Sequence, residues 1–507
     1  MWGCNMEKFQ PERGAGVLCH ISSLPNKYGI GSLGSEAYEF VDILAKSGVK
    51  YWQILPLQQT GFGDSPYQSV SCTSGNPYFI DIVDLHKQGL IDKEELKNAE
   101  RKLKNDIDYG DLYSSRYALL RKAYARFDIK DPDFVAFAES GEAEDYALFM
   151  SLKSRYSGTF STFPYDYKYR EPLAMTEFKE SVYREEYCFW LFVQYEFAKQ
   201  WGALKTYANS KGIKIIGDIP LYVAYDSSDV WANPQLFALD EDLNPVAVAG
   251  CPPDYFSEDG QLWGNPLYNW DALEESNFDW WINRIAHASR LYDIVRIDHF
   301  RGLDRYYAIP ACEKTARVGE WLPCPGKKLF EEAERRLGKL SIIAEDLGVI
   351  DDGVVELRDF CGFPSMKIMM FAFDGNEDNA YLPHNIDEHS VVYTGTHDND
   401  TALGFLLKQT DLQFSALKKQ LRAALEYEQA YTPVVDRADA VKGMVLCALN
   451  ARSAIAVIPV QDILCLDNWS RMNTPATAGC NWKFRLTSMP DRNAMANFKN
   501  TVIRSGR

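Results

Sequence analysis

No stretch of this 507-residue chain approaches the roughly 18 apolar residues that a membrane-crossing helix needs. Its first residues, MWGCNMEKFQPERGAG, hold neither the apolar core of a secretory leader nor the pattern of a chloroplast transit peptide. The 11 cysteines are odd in number, scatter from Cys4 to Cys480 and form no Cys-x-x-Cys pair, which argues against a zinc ribbon and a disulfide framework. Reduced thiols and a cytoplasmic setting are the expectation. Among 7 histidines there is no His-x-His or His-x-x-x-His spacing, so no metal and no cofactor is expected. Basic residues are few, 54 against 71 acidic, and the net charge of −17 argues against a nucleic-acid or anionic-membrane partner. Internal repeats, low-complexity tracts and charged tails are absent as well.

What the chain does have is three short apolar runs that each end in an acid. YDIVRIDHFRG closes on Asp298, LSIIAEDLG on Glu345 and VVYTGTHDND on Asp398. Each is rich in β-branched residues and leads into polar, glycine-containing sequence, the pattern of a fully buried strand. Any one of these acids reads equally well as a strand-end group that caps a helix or pairs with a base. Together, on the carboxyl ends of parallel strands, they converge on one face and suggest glycoside chemistry. Breaking an acetal needs one protonated carboxyl for the departing oxygen and one carboxylate facing the anomeric carbon. Arg296 lies two residues before Asp298 on the same strand, hence on the same side, where it can keep the aspartate ionised or form a structural ion pair with it.

Eight strand-like runs alternate with amphipathic helices, the signature of a parallel sheet covered on both faces. GVLCHI, YWQILPL, KIIGDIP, IVRID, LSIIAE, MKIMMFAF, VVYTG and IAVIPV supply them, with a helix near residues 35–46 after the first. The fold class is α/β, a single (β/α)8 barrel over 1–507 with insertions in its βα loops. Residues 83–180, between strands two and three, read as a mostly helical insertion carried by KEELKNAERKLK, SSRYALLRKAYARF and EDYALFMSLKSRY. Residues 222–277, after strand three, read as an irregular, lid-like insertion, and segments of that length inside a compact domain are usually functional. Its Tyr255, Phe256 and Trp263 have the flat faces on which a sugar ring stacks. About 50 residues follow strand eight, too few for a β-sandwich domain.

The strings HISSLPNKYGIGSLG, YWQILPLQQTGFGDSPYQS, GDIPLYVAYDSSDVW, LWGNPLYNW, VRIDHFRG, IIAEDLG, THDNDT and RMNTPATAGCNW, in this order, resemble the 4-α-glucanotransferases of glycoside hydrolase family 77, the amylomaltases or disproportionating enzymes. The resemblance implies that Asp298 is the nucleophile, Glu345 the general acid/base and Asp398 the acid that binds sugar hydroxyls and helps distort the ring. It further implies that Tyr67, in the Ser65-Pro66-Tyr67 turn, stacks beneath the sugar whose bond is cleaved, and that Asp218 supports the donor site. Ser65, Trp263, Arg296, His397 and Asn473 complete the expected sugar-binding set.

The implied activity is retaining transfer of α-1,4-glucan segments between maltooligosaccharides from starch or glycogen, with glucose as an acceptor. Two other readings stay open, an α-amylase-type hydrolase and a catalytically silent glucan-binding barrel. A metal site from His299, Asp298, His397 and Asp398 is disfavoured, since His299 and Asp298 are neighbours in an extended run and are expected on opposite faces. The chain departs from the family pattern in HISSLP, in TPAT at Ala476 and in GCNWKFR. The last two fall in the loop after strand eight and bear on acceptor and chain-length preference.

Overall fold

A computed structural model describes residues 6–507 except 62, 254–256, 349, 431 and 478, so Tyr255 and Phe256 lie outside the described residues. Eight parallel strands form the barrel: β1 Gly14–Leu18, β2 Tyr51–Gln53, β3 Lys214–Ile219, β4 Ile294–Ile297, β5 Ile342–Ala344, β6 Ser365–Ile368, β7 Ser390–Tyr393 and β8 Ile455–Pro459. Ladders run in the order β6-β7-β8-β1-β2-β3-β4-β5. These are the eight runs expected from the sequence, and they are legible for one reason: a strand buried on both faces has no need to alternate, so it reads as an unbroken β-branched block. IAVIP in β8 is buried at every position.

The seam between β5 and β6 closes without a ladder. The Ala344 N–H donates to the Pro364 carbonyl at 3.2 Å, and the Met366 N–H donates to the Asp346 carboxylate at 2.8 Å. On its other oxygen Asp346 accepts from the Arg358 guanidinium at 2.7 Å. A side chain therefore replaces a strand at the seam, one residue beyond Glu345.

Between β2 and β3 run the helices Lys93–Asn98, Tyr109–Tyr124, Pro132–Glu139, Glu144–Arg155, Pro172–Glu180 and Arg184–Ser210. Aspartates start three of them: Asp92, in a capping box with Glu95, Asp108 and Asp131. The first stops at Asn98, short of the stretch to Lys104 that the apolar spacing suggested. Arg101 ends it, donating its N–H to the Lys27 carbonyl at 2.7 Å and its guanidinium to Asp111 at 2.8 Å. The 27-residue helix Arg184–Ser210 then leads directly into β3. Within β3, a Cβ on Gly217 would meet the Tyr292 ring at 2.1 Å, so only glycine lets the covering ring sit there.

The segment 222–277 is not irregular throughout, as its composition suggested. Strands Ala247–Cys251 and Gln261–Pro266 pair antiparallel, and the first also pairs with Arg305–Pro310, which pairs with Glu320–Pro323. Two of these strands belong to the loop after β3 and two to the loop after β4, each loop forming one antiparallel pair, and the pairing of Ala247–Cys251 with Arg305–Pro310 joins the two into one sheet. Glycines and prolines within AVAGC and QLWGNP blur the alternation. Both loops leave carboxyl ends of barrel strands, which puts this small sheet beside the catalytic face. After β8 the described residues hold helices Val460–Ile463 and Arg492–Arg504 and no strand. No described helix is long and apolar enough to cross a membrane.

Candidate active site

Strand ends place the acids. Asp298 follows β4 and Glu345 follows β5, while Asp398 sits on the loop beyond β7. Backbone bonds fix the first two: the Asp298 N–H donates to Ile219 O at 3.0 Å and the Glu345 N–H to Ile297 O at 3.1 Å. Each bond ties a catalytic-face residue to the preceding strand, so barrel closure and site geometry are one event.

Arg296 joins two acids. Its Nη1 lies 2.8 and 2.7 Å from the two oxygens of Asp218, and its Nη2 lies 2.9 Å from Asp298 Oδ1. Asp218 is 1% exposed and Arg296 3%, so neither could be left alone there without a large desolvation cost. The Tyr67 hydroxyl donates to Asp218 Oδ2 at 2.6 Å. Burial still raises the Asp218 carboxyl above its ordinary range, against the pull of Arg296.

Glu345 differs sharply from Asp298 in environment. The residue is half-buried, and its carboxyl is pushed up to about 8, chiefly by desolvation and then by the negative charge of Asp298, while Arg296 and a backbone N–H pull the other way. That N–H belongs to His299 and lies 2.7 Å from Glu345 Oε2. His299 is left-handed, at φ 52° and ψ 48°, two residues after the strand ends at Ile297. Extended-strand alternation therefore does not apply to Asp298 and His299. The left-handed turn, unusual for a residue with a Cβ, is what turns the N–H towards Glu345. Burial lowers the His299 imidazole to about 4, so it is neutral, and its ring meets Trp263 edge to face at 4.8 Å. No three His, Cys, Asp or Glu side chains among the described residues are arranged to hold a metal ion.

Around the third acid, Asn473 Nδ2 donates to Asp398 Oδ1 at 2.6 Å, and His397 Nε2 lies 3.3 Å from Asp398 Oδ2. The His397 ring stacks parallel to Tyr67, centroids 5.1 Å apart, with Trp482 tilted against both at 5.6 and 5.8 Å. Ser65 accepts the Tyr67 N–H at 3.2 Å and so shapes the turn that presents Tyr67. Trp263, half-buried, is the member of the expected set placed on the loop after β3.

Some residues of the site gave no sequence signal. Gln68 and Asn265 pair amide to amide at 2.7 and 3.3 Å, fastening the loop after β2 to the loop after β3. Trp482 was visible as part of GCNW, but nothing in that string announces its contact with Tyr67.

The 4-alpha-glucanotransferase model of glycoside hydrolase family 77 matches residues 19–490. A 4-alpha-glucanotransferase of Clostridium butyricum is 46% identical over 489 residues, covering 94% of this chain and 97% of the relative. One of Thermus thermophilus is 45% identical over 487 residues, covering 94% and 95%. The amylomaltase of Streptococcus agalactiae, solved in complex with acarbose, matches with a TM-score of 0.92 at 39% identity, over 98% of this chain and all of that one. A site of three strand-end acids, a barrel of that shape and a family match along nearly the whole length converge: the chain belongs to the 4-alpha-glucanotransferase family, glycoside hydrolase family 77.

Proposed function

We propose that the chain is a 4-α-glucanotransferase that moves α-1,4-glucan segments between maltooligosaccharides by a retaining double displacement. Asp298 attacks the anomeric carbon while Glu345 gives its proton to the departing glycosidic oxygen. The covalent glycosyl-enzyme is then opened by the 4-hydroxyl of an acceptor glucan or glucose, whose proton returns to Glu345. The observation that carries this reading is the contrast between the two carboxyls. Glu345 is held at about 8 by burial, and Asp298 is in a salt bridge with Arg296. Paired acids in environments this different divide naturally into proton donor and nucleophile.

Asp398, with His397 and Asn473, offers convergent polar groups for the hydroxyls of the sugar being distorted. Tyr67 and Trp263 supply aromatic surface, and Asp218 acts through Arg296 and Tyr67. Carboxyls of the chain itself carry the proton transfer and the attack in these steps. Starch- and glycogen-derived glucans are the natural donors, and ten free thiols among the described residues suit a cytoplasmic enzyme. Transfer is favoured over hydrolysis because the relatives along the whole chain are named 4-alpha-glucanotransferases.

Maltotriose decides between the two: transfer yields glucose together with products longer than maltotriose and conserves the number of glycosidic bonds. Reducing ends that rise steadily with no longer product would reject transfer. The roles are separated by intact mass after treatment with an α-glycosyl fluoride. Glu345→Gln should load and hold a sugar on Asp298, since fluoride leaves without a proton and no base activates the acceptor. Asp298→Asn should hold none, and an adduct on Glu345 would show the roles exchanged.

A further inference from the structure

Asp398 stands on a loop, the least rigid part of a barrel face, yet its position must be held to a fraction of an ångström. The segment that follows β8 supplies contacts that no mechanistic role requires. Arg471 Nη2 donates to the backbone carbonyl of Asp398 at 2.5 Å, its Nη1 to Asp400 Oδ1 at 2.5 Å and its Nε to the Asn473 carbonyl at 2.7 Å. One guanidinium thus ties Asp398 to Asn473, the residue that bonds the Asp398 carboxylate. Asn468 takes the other side, accepting the Thr401 N–H and donating to Asp400 Oδ1, both at 3.0 Å. Beneath the loop the buried Asp462 accepts from Thr394 at the end of β7 and from the Ala402 N–H at 2.7 Å. The loop is held at its start, its middle and its end by side chains of a single neighbouring segment.

We propose that Arg471 is a positioning residue for the reaction: it sets the Asp398 carboxylate by clamping its backbone to Asp400 and Asn473. The proposal rests on the reading of Asp398 as the acid that binds and distorts the sugar. A lysine keeps the charge of Arg471 but is a single point, and cannot reach three oxygens with the fork of a guanidinium. Displacing a reacting group by about 1 Å costs on the order of 10²-fold in rate.

The test is a double-mutant cycle read as the rate of glycosyl-enzyme formation from an α-maltotriosyl fluoride, with folding checked by circular dichroism and thermal unfolding. Arg471→Lys should slow loading about 10- to 100-fold in the parent enzyme. In an Asp398→Asn background it should slow loading less than about 3-fold, because the group it positions has already been disabled. Equal losses in both backgrounds, or no loss in the parent, would overturn the clamp while leaving the assignment of Asp398 standing. An Asp398→Asn enzyme as fast as the parent would overturn that assignment and the clamp with it. If Arg471→Lys does not fold, Asp400→Asn takes its place in the same cycle, since it removes the carboxylate anchor and keeps the arginine.

Discussion

In the proposed reaction a proton is what makes Glu345 useful, and the same proton makes it costly. Its ordinary value is 4.5 and the folded protein holds it near 8. Below about 4.5 the folded and unfolded chains both carry the proton. As pH rises from there towards 8, the unfolded chain releases it and the folded one does not, so stability is lost across that window. Glu345→Gln removes this liability while keeping the shape. It should be more stable than the parent, by about 1–3 kcal/mol at pH 7, with the difference vanishing below about pH 4.5, as denaturant titrations at several pH values will show. The parent's kcat/KM should fall as pH rises through about 8, because donation to the leaving oxygen requires the protonated form. An alkaline limb that survives in Glu345→Gln would trace it to another group. The opposite sign holds at Arg296. Replacing it by methionine leaves the buried Asp218 charge unpaired, a change that should cost about 3–5 kcal/mol and be evident in thermal unfolding. The strand-end acids and Arg296 were legible in the sequence because strand period and strand ends are local properties. Arg471 and Trp482 were not, since each acts on a residue more than 70 positions away or from another loop.

At the scale of elements, eight strands were visible as β-branched blocks, whereas the small antiparallel sheet was not. Two of its pairings are local, one within each loop, but the central one joins the loop after β3 to the loop after β4 across about 60 positions, beyond any short window of sequence. The tie between Gln68 and Asn265 spans 197 positions and is equally silent. That tie predicts a selective effect. Asn265 is 3% exposed and also donates to the Val223 carbonyl at 2.8 Å. Asn265→Ala leaves the buried Val223 carbonyl without its donor, at about 1–3 kcal/mol, and loosens the loop bearing Tyr67 from the one bearing Trp263. Because loops over the site keep water from the glycosyl-enzyme, the fraction of turnovers ending in hydrolysis should rise. Reducing-end release compared with oligosaccharides longer than maltotriose measures that fraction directly, and an unchanged ratio would show that the tie serves stability alone.

Over the whole molecule, the two ends of the barrel have different work. The acids, the rings and the small sheet all sit on loops from the carboxyl ends of the strands, and the opposite end is sealed by arginines. Arg507 donates to the carbonyls of Gly14 at 3.2 Å, Ala454 at 3.0 Å, Ala451 at 2.8 Å and Leu449 at 2.5 Å, and to the Ser453 hydroxyl at 3.0 Å. Arg13 reaches Ala451, Arg452 and Ser453 at 3.2, 3.2 and 2.8 Å. These contacts staple the entries of β1 and β8, the neighbouring strands on which the order of the whole sheet depends. Chemistry at one end and closure at the other is the division expected of this fold. Arg507→Ala should therefore shorten the half-life of the enzyme at elevated temperature, through a loss of about 1–3 kcal/mol as partly buried carbonyls exchange a charged donor for water. Its kcat and KM on maltotriose at 25 °C should stay within about 2-fold of the parent, since no site residue contacts Arg507. Arg471→Lys should show the reverse pattern, slow chemistry with a nearly normal half-life. A variant at Arg507 that lost turnover and kept its thermal half-life would show that closure of the barrel floor is transmitted to the acids above it.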